Sequence, residues 1–220
     1  MDNTAVRDSI LSGLNNAPRG IIPEKPELMP FPEMTMNRDD LIAKFTQMLA
    51  EQTGVVHRVK DSDEFPETLT RVLKDESITE LAASDDSILA SVGPDSLSDV
   101  TLKRRADFKD ITAFKNYLFT KADAGITGAD FAVAESGTLV IAHNAEKPRL
   151  VSLAPAIHIA VVKLENLVPV YETAVSKIYV DEKPSQVTFI TGPSMTADIQ
   201  ATPFKGMHGP KQLIVFLVGE

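Results

Sequence analysis

The chain has no cysteine among its 220 residues. This absence excludes disulfides, thiolate zinc sites, a cysteine nucleophile and Fe–S clusters held by thiolates of this chain. Long apolar runs are also missing, because the most apolar stretch, residues 213–218, is far shorter than the ~20 residues of a membrane-spanning helix. The start of the sequence has no basic segment and no long apolar segment, so we expect no signal peptide and a cytoplasmic protein.

Basic residues are not in excess. Lys and Arg number 22 against 31 Asp and Glu, which gives a net charge of −9. Because nucleic acids and anionic membranes attract cationic surfaces, we expect no nucleic-acid binding and no membrane insertion. Residues 103–110 form a cationic cluster, which we interpret as a solvated helix face, with a docking patch for an acidic partner as the alternative.

Three familiar ligand-binding motifs are absent. The chain has no G-x-G-x-x-G, no Walker-type phosphate loop and no H-E-x-x-H. A metal site is conceivable from a set of scattered residues, namely Glu135, His143, His158, Asp198 and His208. Because no two of the histidines have ligand-like spacing, we expect no metal.

Two regions differ in composition along the chain. Residues 1–37 are interpreted as an N-terminal helix followed by a proline-rich arm, since Val6, Ile10 and Leu14 have helical spacing and five prolines lie between 18 and 32. Residues 38–220 are interpreted as one α/β domain, whose first helix begins after the N-cap residue Asn37.

The body alternates strand and helix patterns. A strand over 55–59, a helix over 63–76 and a strand near 78–83 give a β–α–β rhythm, which is typical of a parallel sheet covered on both faces. The β-like stretches on both sides of Ser136-Gly137 predict a hairpin or a sharp bend there. Further segments are a helix from Pro169 and strands over 157–162, 187–191 and 212–218. The sequence therefore predicts an α/β fold with a three-layer open sheet.

Polar residues cluster near the ends of these strands, where open α/β sheets bind their ligands. The first cluster is centred on Glu135 in the Ser136-Gly137 bend. A glutamate between apolar strands is expected to be partly desolvated, which suits acid, base or nucleophile chemistry. The alternative is a solvated turn residue. The other polar members of this cluster are Asp123, Thr127, Asp130 and Thr138.

The second cluster contains Arg149, Ser152 and His158. Arg149 could clamp a carboxylate or phosphate through its planar guanidinium group. His158 is flanked by apolar residues, and we interpret such a histidine more readily as a core residue than as a ligand.

The third cluster is the turn at Gly192, Pro193 and Ser194. We expect Gly192 to allow close backbone approach and Ser194 to cap a following helix whose free amides would face an anion. The fourth cluster places His208 between glycines before the last strand. We expect a functional role for His208, since a histidine on so permissive a loop contributes little to packing, with a hydrogen bond within the turn as the alternative.

Four stretches carry a resemblance to a known family: residues 125–141, 149–162, 188–199 and 206–210. In this order they resemble the LUD-domain family, and within it the lactate utilization protein C group. Two positions depart from that pattern, because Met195 and Lys211 stand where arginines are common.

The resemblance implies a fold similar to the group of ribose-5-phosphate isomerase, glucosamine-phosphate deaminase and CoA-transferases. It also implies a role in oxidising L-lactate to pyruvate together with two Fe–S partner proteins. Because this chain has no cysteine, it cannot hold Fe–S clusters by thiolates, and we expect such clusters only in the partner proteins. We expect this chain to bind no cofactor and to be the non-redox accessory member, with a small carboxylate or other anion as its ligand. A homo-oligomer is compatible with the sequence.

The residues implied for the site fall into two sets. The catalytic candidates are Glu135 and His208. The ligand-binding candidates are Thr127, Gly137, Thr138, Arg149, His158, Gly192, Ser194, Thr196, Asp198 and Gly209. The alternative function is a stand-alone enzyme or binder for an acyl-CoA or sugar phosphate, with Glu135 as nucleophile or base.

Overall fold

The structure, a computed structural model, describes residues 3–17, 36–94, 97, 99–178, 184–197 and 203–220. The helices in these residues are α1 (Asn3–Asn16), α2 (Arg38–Glu51), α3 (Phe65–Asp75), α4 (Ser87–Val92), α5 (Ile111–Thr120), α6 (Arg149–Leu153) and α7 (Tyr171–Ile178). The strands are β1 (Val55–Val59), β2 (Glu80–Ala83), β3 (Thr101–Lys103), β4 (Ala124–Gly128), β5 (Phe131–Val133), β6 (Thr138–His143), β7 (Ile157–Lys163), β8 (Leu167–Val168), β9 (Gln186–Ile190), β10 (Met195–Ala197), β11 (Pro203–Lys205) and β12 (Gln212–Val218).

The chain divides into two compact units, Met1–Pro32 and Glu33–Glu220. In the first unit, α1 has the predicted spacing of Val6, Ile10 and Leu14, and all three side chains are exposed. The predicted proline-rich arm lies largely outside the described residues. No helix in the described ranges has both the length and the apolar character needed to cross a membrane.

The second unit is built on a six-stranded parallel sheet with the order β1-β12-β7-β4-β2-β3. The predicted strands over 55–59 and 212–218 are confirmed at both ends. Strand β12 is buried from Leu213 to Val218 because both faces of the sheet are covered, which explains its continuous apolar run. The parallel α/β prediction is therefore confirmed.

Helix α2 shows how local sequence signals start an element. The side chain of Asn37 accepts a hydrogen bond of 2.9 Å from the Asp40 N–H, which confirms the predicted N-cap. Phe45 and Leu49 are completely buried on the side of the helix that faces the sheets. Each such side chain contributes about 1.5–3 kcal/mol by leaving water.

Two main apolar clusters lie on the two faces of the parallel sheet. On one face, side chains of α3 such as Phe65, Leu69 and Leu73 pack against Ile159 and Phe216 of the central strands. The cluster on the other face joins α2, alternate residues of β7 and β12, and side chains of β5 and β6. The sheet is thus flanked by helices and, on the second face, by further strands.

A second sheet with the order β8-β5-β6-β9 covers part of that face. The predicted hairpin at Ser136-Gly137 is confirmed, since β5 and β6 are antiparallel. The predicted strand over 187–191 corresponds to β9 (Gln186–Ile190), but it pairs with β6 in this second sheet and is partly exposed. Apolar runs predict strands, but they do not say which sheet a strand joins.

Candidate functional site

A cavity of about 390 Å³ lies at the amino ends of β7 and β12. His158, the second residue of β7, stands opposite Leu213, the second residue of β12, and both line the cavity. This edge is opposite to the carboxyl edge at which open α/β sheets usually bind ligands. The polar residues that line it are Ser152, His158, Thr188, Thr191, Ser194 and His208.

His158 is the most unusual of these residues. It is 1% exposed, and its Nε2 lies 2.9 Å from the Oγ1 of Thr127 on the neighbouring strand β4. Its Nδ1 is the one buried side-chain nitrogen or oxygen without a hydrogen-bond partner among the described residues. An unpaired buried polar atom costs about 1–3 kcal/mol. Because His158 lines the cavity, a ligand there could supply the missing partner.

Burial keeps His158 neutral. Loss of hydration, together with the nearby His143, lowers the pKa of His158 to about 3. A neutral imidazole has one donor and one acceptor nitrogen, so the bond with Thr127 decides which role Nδ1 plays. His158 can therefore orient a ligand at neutral pH without carrying a charge.

The side-chain hydroxyl groups of Thr188 in β9 and of Thr191, the residue after β9, are held in place by residues that do not line the cavity themselves. His143 is buried, and its Nε2 lies 2.8 Å from Thr188 Oγ1 while its Nδ1 pairs with the backbone oxygen of Lys147. Burial lowers the pKa of His143 as well. Thr138 Oγ1 lies 2.7 Å from Thr191 Oγ1. These bonds hold Thr188 and Thr191 in the cavity wall. The predicted residue Thr138 does not line the cavity itself and contacts it through Thr191.

The turn at Gly192 and Ser194 forms another wall, but not as predicted. Gly192 has a φ of 113° and lies close to Gln52, where a Cβ would approach within 2.8 Å. The predicted helix after Ser194 is wrong, because Met195–Ala197 is strand β10, which pairs with β11. The Ser194 N–H donates to the Pro210 carbonyl at 2.8 Å. This amide is used to join two loops and is not available to an anion.

His208 and Gly209 complete the cavity at its exposed side. A Cβ on Gly209 would come within 3.2 Å of the Ser194 side chain, so the two loops are in close contact. His208 itself is exposed. The structure therefore brings together five of the predicted residues in one lining: His158, Gly192, Ser194, His208 and Gly209.

Charged side chains are absent from the described lining of this cavity. Arg149 does not reach it, because it begins α6, is exposed and donates to the side chain of Gln186. Met195, in the position where an arginine was expected, is also exposed. An anion in the cavity would depend on neutral hydrogen-bond donors and on His208.

Glu135 and Gly137 do not line this cavity. Glu135 is exposed, and its carboxylate accepts a 2.8 Å hydrogen bond from the Tyr171 N–H at the start of α7. The expectation of a desolvated Glu135 was therefore wrong, since the hairpin turn projects it into solvent. Gly137 packs against the end of α2, where a Cβ would lie 2.5 Å from the Leu49 nitrogen. Its role in the structure is one of packing.

The two remaining predicted ligand-binding residues are Thr196 and Asp198. Thr196 lies in β10 and is not part of the lining. Asp198 lies outside the described residues. Within the portion of the chain that the structure describes, no three His, Asp or Glu side chains are grouped so that they could hold a metal ion.

Sequence reasoning missed Thr188 and Thr191 as lining residues. Both are threonines in or beside an apolar strand, and this was the available signal. What the sequence could not show is that β9 joins the second sheet and passes along the cavity. The arrangement as a whole can hold a small polar molecule through imidazole and hydroxyl groups.

Comparison with known proteins supports the motif resemblance. The family model described as LUD domain matches residues 42–218. Lactate utilization protein C of Oceanobacillus iheyensis is 29% identical over 206 residues, which cover 89% of this chain and 88% of that protein. Lactate utilization protein C of Deinococcus radiodurans is 27% identical over 213 residues, which cover 96% and 94% of the two chains.

A shorter match and a solved structure add to this. An uncharacterized protein of Neisseria meningitidis serogroup B, NMB1437, is 35% identical over 124 residues, or 56% of this chain and 53% of that protein, so the match spans about half of that relative. The crystal structure of a DUF162 family protein from Deinococcus radiodurans has a TM-score of 0.61 and 23% identity, covering 84% of this chain and 100% of that one. That likeness shows a shared α/β fold. Since the family model covers most of the sequence, the chain belongs to the LUD-domain family.

Proposed function

We propose that this protein is a non-redox accessory component of a system that oxidises L-lactate to pyruvate together with Fe–S proteins. We further propose that the cavity at His158 binds a small hydroxy- or oxocarboxylate of this reaction. The names of the relatives support a role in lactate utilization. The observation that carries the ligand proposal is the buried, unpaired Nδ1 of His158, a residue that lines the cavity.

Either tautomer of His158 fits one group of such a ligand. If Thr127 donates its hydroxyl proton to Nε2, then Nδ1 carries a proton and can donate to the ligand carboxylate. If Nε2 donates to Thr127, then Nδ1 accepts from the hydroxyl of lactate. Ser194 lines the same cavity and its hydroxyl group offers a further donor. Ser152 also lines the cavity, but its hydroxyl donates to the Arg149 carbonyl at 3.0 Å. The cavity exceeds the ~300 Å³ of the smallest typical ligand pockets. A three-carbon acid would therefore leave room for water in it.

The oxidation itself requires an electron acceptor, which we assign to the partner proteins. The chain has no cysteine and therefore no thiolate ligand for a cluster. Its proposed contribution is to bind the acid and orient it. This assignment makes the chain necessary for the reaction but inactive alone.

Reconstitution tests this function. We expect no lactate-dependent dye reduction by the chain alone, and restored reduction when the chain is added to its Fe–S partners. Equal rates with and without the chain would contradict the accessory role. The Ser194→Ala and His208→Ala variants should lower the restored rate, while an exposed control, Thr112→Val on α5, should leave it unchanged.

A thermal-shift series tests the ligand class separately. L-lactate and pyruvate should raise the melting temperature of the wild type, and the shift should shrink in Ser194→Ala and His208→Ala. A shift with CoA, lost in Glu135→Gln, would instead favour the acyl-transfer alternative. Absence of any shift with lactate and pyruvate would count against the carboxylate proposal.

A further inference from the structure

A second cavity, of about 520 Å³, lies near the carboxyl ends of β2 and β4. The loop after β2 is fixed there by Asp86, which accepts hydrogen bonds from the Gly128 N–H at the end of β4 and from the Ile88 N–H. Ile88 lines this second cavity. Among the residues that the structure describes, none lines both cavities. The second one occupies the edge at which parallel α/β sheets usually bind ligands.

A buried lysine lines this second cavity. Lys147 is 6% exposed, and its Nζ donates to Asp130 Oδ1. The other oxygen of Asp130 accepts a 2.7 Å hydrogen bond from the Ala142 N–H. An ammonium group has three donors, so two donors of Lys147 have no acceptor in the described part of the protein. A buried lysine with unused donors at a cavity wall can bind a ligand that supplies acceptors.

The neighbouring polar groups are also donors. The Asn144 oxygen accepts from the backbone N–H groups of Glu146 and Lys147 at 3.0 and 2.9 Å, which identifies its other end as the NH₂ group. Asn166 and Lys177 line the cavity from other elements. With Asp130 paired to Lys147, Lys177 gives the described lining residues a net positive charge.

Apolar side chains form the remaining wall. Phe131, Ile88 and Ile178 line the cavity beside these donors. A ligand that fits both parts has a compact anionic group with several acceptor oxygens and a short organic group. A phosphate monoester has this chemistry, since it offers three charged oxygens to several donors at once.

We propose that this second cavity binds the phosphate group of a small phosphorylated metabolite. Lys147 and Lys177 would contact the phosphate oxygens, and Asn144 and Asn166 would donate to the remaining acceptors. The ion pair with Asp130 would hold the Lys147 ammonium in place when the cavity is empty. This site is independent of the proposed carboxylate site and of the accessory function.

Calorimetric titration with glycerol 3-phosphate tests the proposal on the full chain. We expect binding to the wild type and about tenfold weaker binding to Lys177→Gln and Asn166→Ala, because each removes a hydrogen bond to a charged group. Lys115→Gln, which removes an exposed lysine of α5, should bind as the wild type does. Lys147→Met should abolish binding, and circular dichroism of this variant shows whether it is folded.

Three results would overturn the proposal. The first is no binding of glycerol 3-phosphate to the wild type. The second is unchanged affinity in both Lys177→Gln and Asn166→Ala. The third is loss of binding in His158→Gln, or competition by L-lactate, either of which would place the phosphate in the first cavity. Failure of lactate binding alone would leave this result unaffected, so the two proposals fail separately.

Discussion

Thr127 and His158 face each other on the neighbouring strands β4 and β7, with Thr127 Oγ1 2.9 Å from His158 Nε2. Both residues are almost completely buried. The contact satisfies one nitrogen of the imidazole and leaves the other without a partner in the described part of the chain, on a residue that lines the cavity. A core contact between two strands thus fixes the orientation of a group that we propose to bind the ligand.

Removal of this contact should destabilise the protein. Thr127→Val replaces the hydroxyl with a methyl group and leaves both nitrogens of the buried imidazole unpaired. We expect the free energy of unfolding to fall by about 1–3 kcal/mol in urea denaturation. Thr112→Val, at an exposed position of α5, should change it by less than about 0.5 kcal/mol. Equal stability of the two variants would show that the Thr127 bond contributes nothing.

The buried histidine should make stability depend on pH. The pKa of His158 in the folded protein, about 3, lies below the ~6.5 of an unfolded chain. The unfolded state therefore binds a proton as the pH falls below ~6.5, while the folded state does not, and stability decreases towards acid. Between pH 7 and 5 this single group should cost at most about 2 kcal/mol.

His158→Gln tests that pH dependence. The variant should lose about 1–2 kcal/mol less than the wild type between pH 7 and 5, measured by urea denaturation at each pH. The remaining histidines are common to both proteins and cancel in this comparison. Parallel curves for the two proteins would mean that His158 takes up a proton in the folded state as readily as in the unfolded one.

Most of the fold could be predicted from local patterns. Asn37 indicated where α2 begins, and the apolar runs at 157–162 and 212–218 indicated buried parallel strands. These features depend on residues close together in sequence. The second sheet was missed because its pairing of Leu139 with Ile190 joins distant segments, and no local pattern encodes that choice.

Part of the site could also be predicted from residues close together in sequence. The Gly192–Ser194 turn and the His208 loop could be predicted, since motifs of small and polar residues mark such loops. Both of them line the cavity. The helix predicted after Ser194 is a strand, because its pairing with β11 overrides the capping pattern. Whether Arg149 or Glu135 reaches the cavity depends on how the elements pack, which spacing alone does not determine.

Gly137 should be intolerant of a side chain for two reasons. Its φ is 66°, and a Cβ would lie 2.5 Å from the Leu49 nitrogen. Gly93 is a matched control, since its φ is 64° and a Cβ there would meet no atom of the described residues within 4 Å. Gly137→Ala should therefore destabilise the protein by about 2–4 kcal/mol, and Gly93→Ala by about 1 kcal/mol. Similar losses of stability in the two variants would show that α2 moves easily enough to accommodate a Cβ at position 137.

Asp123 should stabilise the start of β2 above acid pH. Burial tends to raise the pKa of Asp123, but hydrogen bonds from the Thr79 N–H, the Thr79 hydroxyl and the Glu80 N–H outweigh it and lower that pKa. Its contribution is therefore complete above the unfolded value of ~3.9 and is lost as the pH falls through the lower folded value.

Asp123→Asn should reduce the free energy of unfolding by about 1 kcal/mol at pH 7, because the bonds lose their charged acceptor. The difference from the wild type should shrink towards pH 3. Asp63→Asn, at an exposed position, should show no such loss. A difference that stays constant from pH 7 to 3 would contradict the ionic origin of the effect.

The most direct test of the proposed ligand site is the ¹⁵N NMR spectrum of histidine-labelled protein titrated with L-lactate. If the ligand supplies the missing partner of His158, the Nδ1 resonance of His158 should shift and saturate with added lactate, and Ser194→Ala should weaken this binding. A His158 Nδ1 resonance that is unchanged at saturating lactate would contradict the assignment of this cavity to the carboxylate.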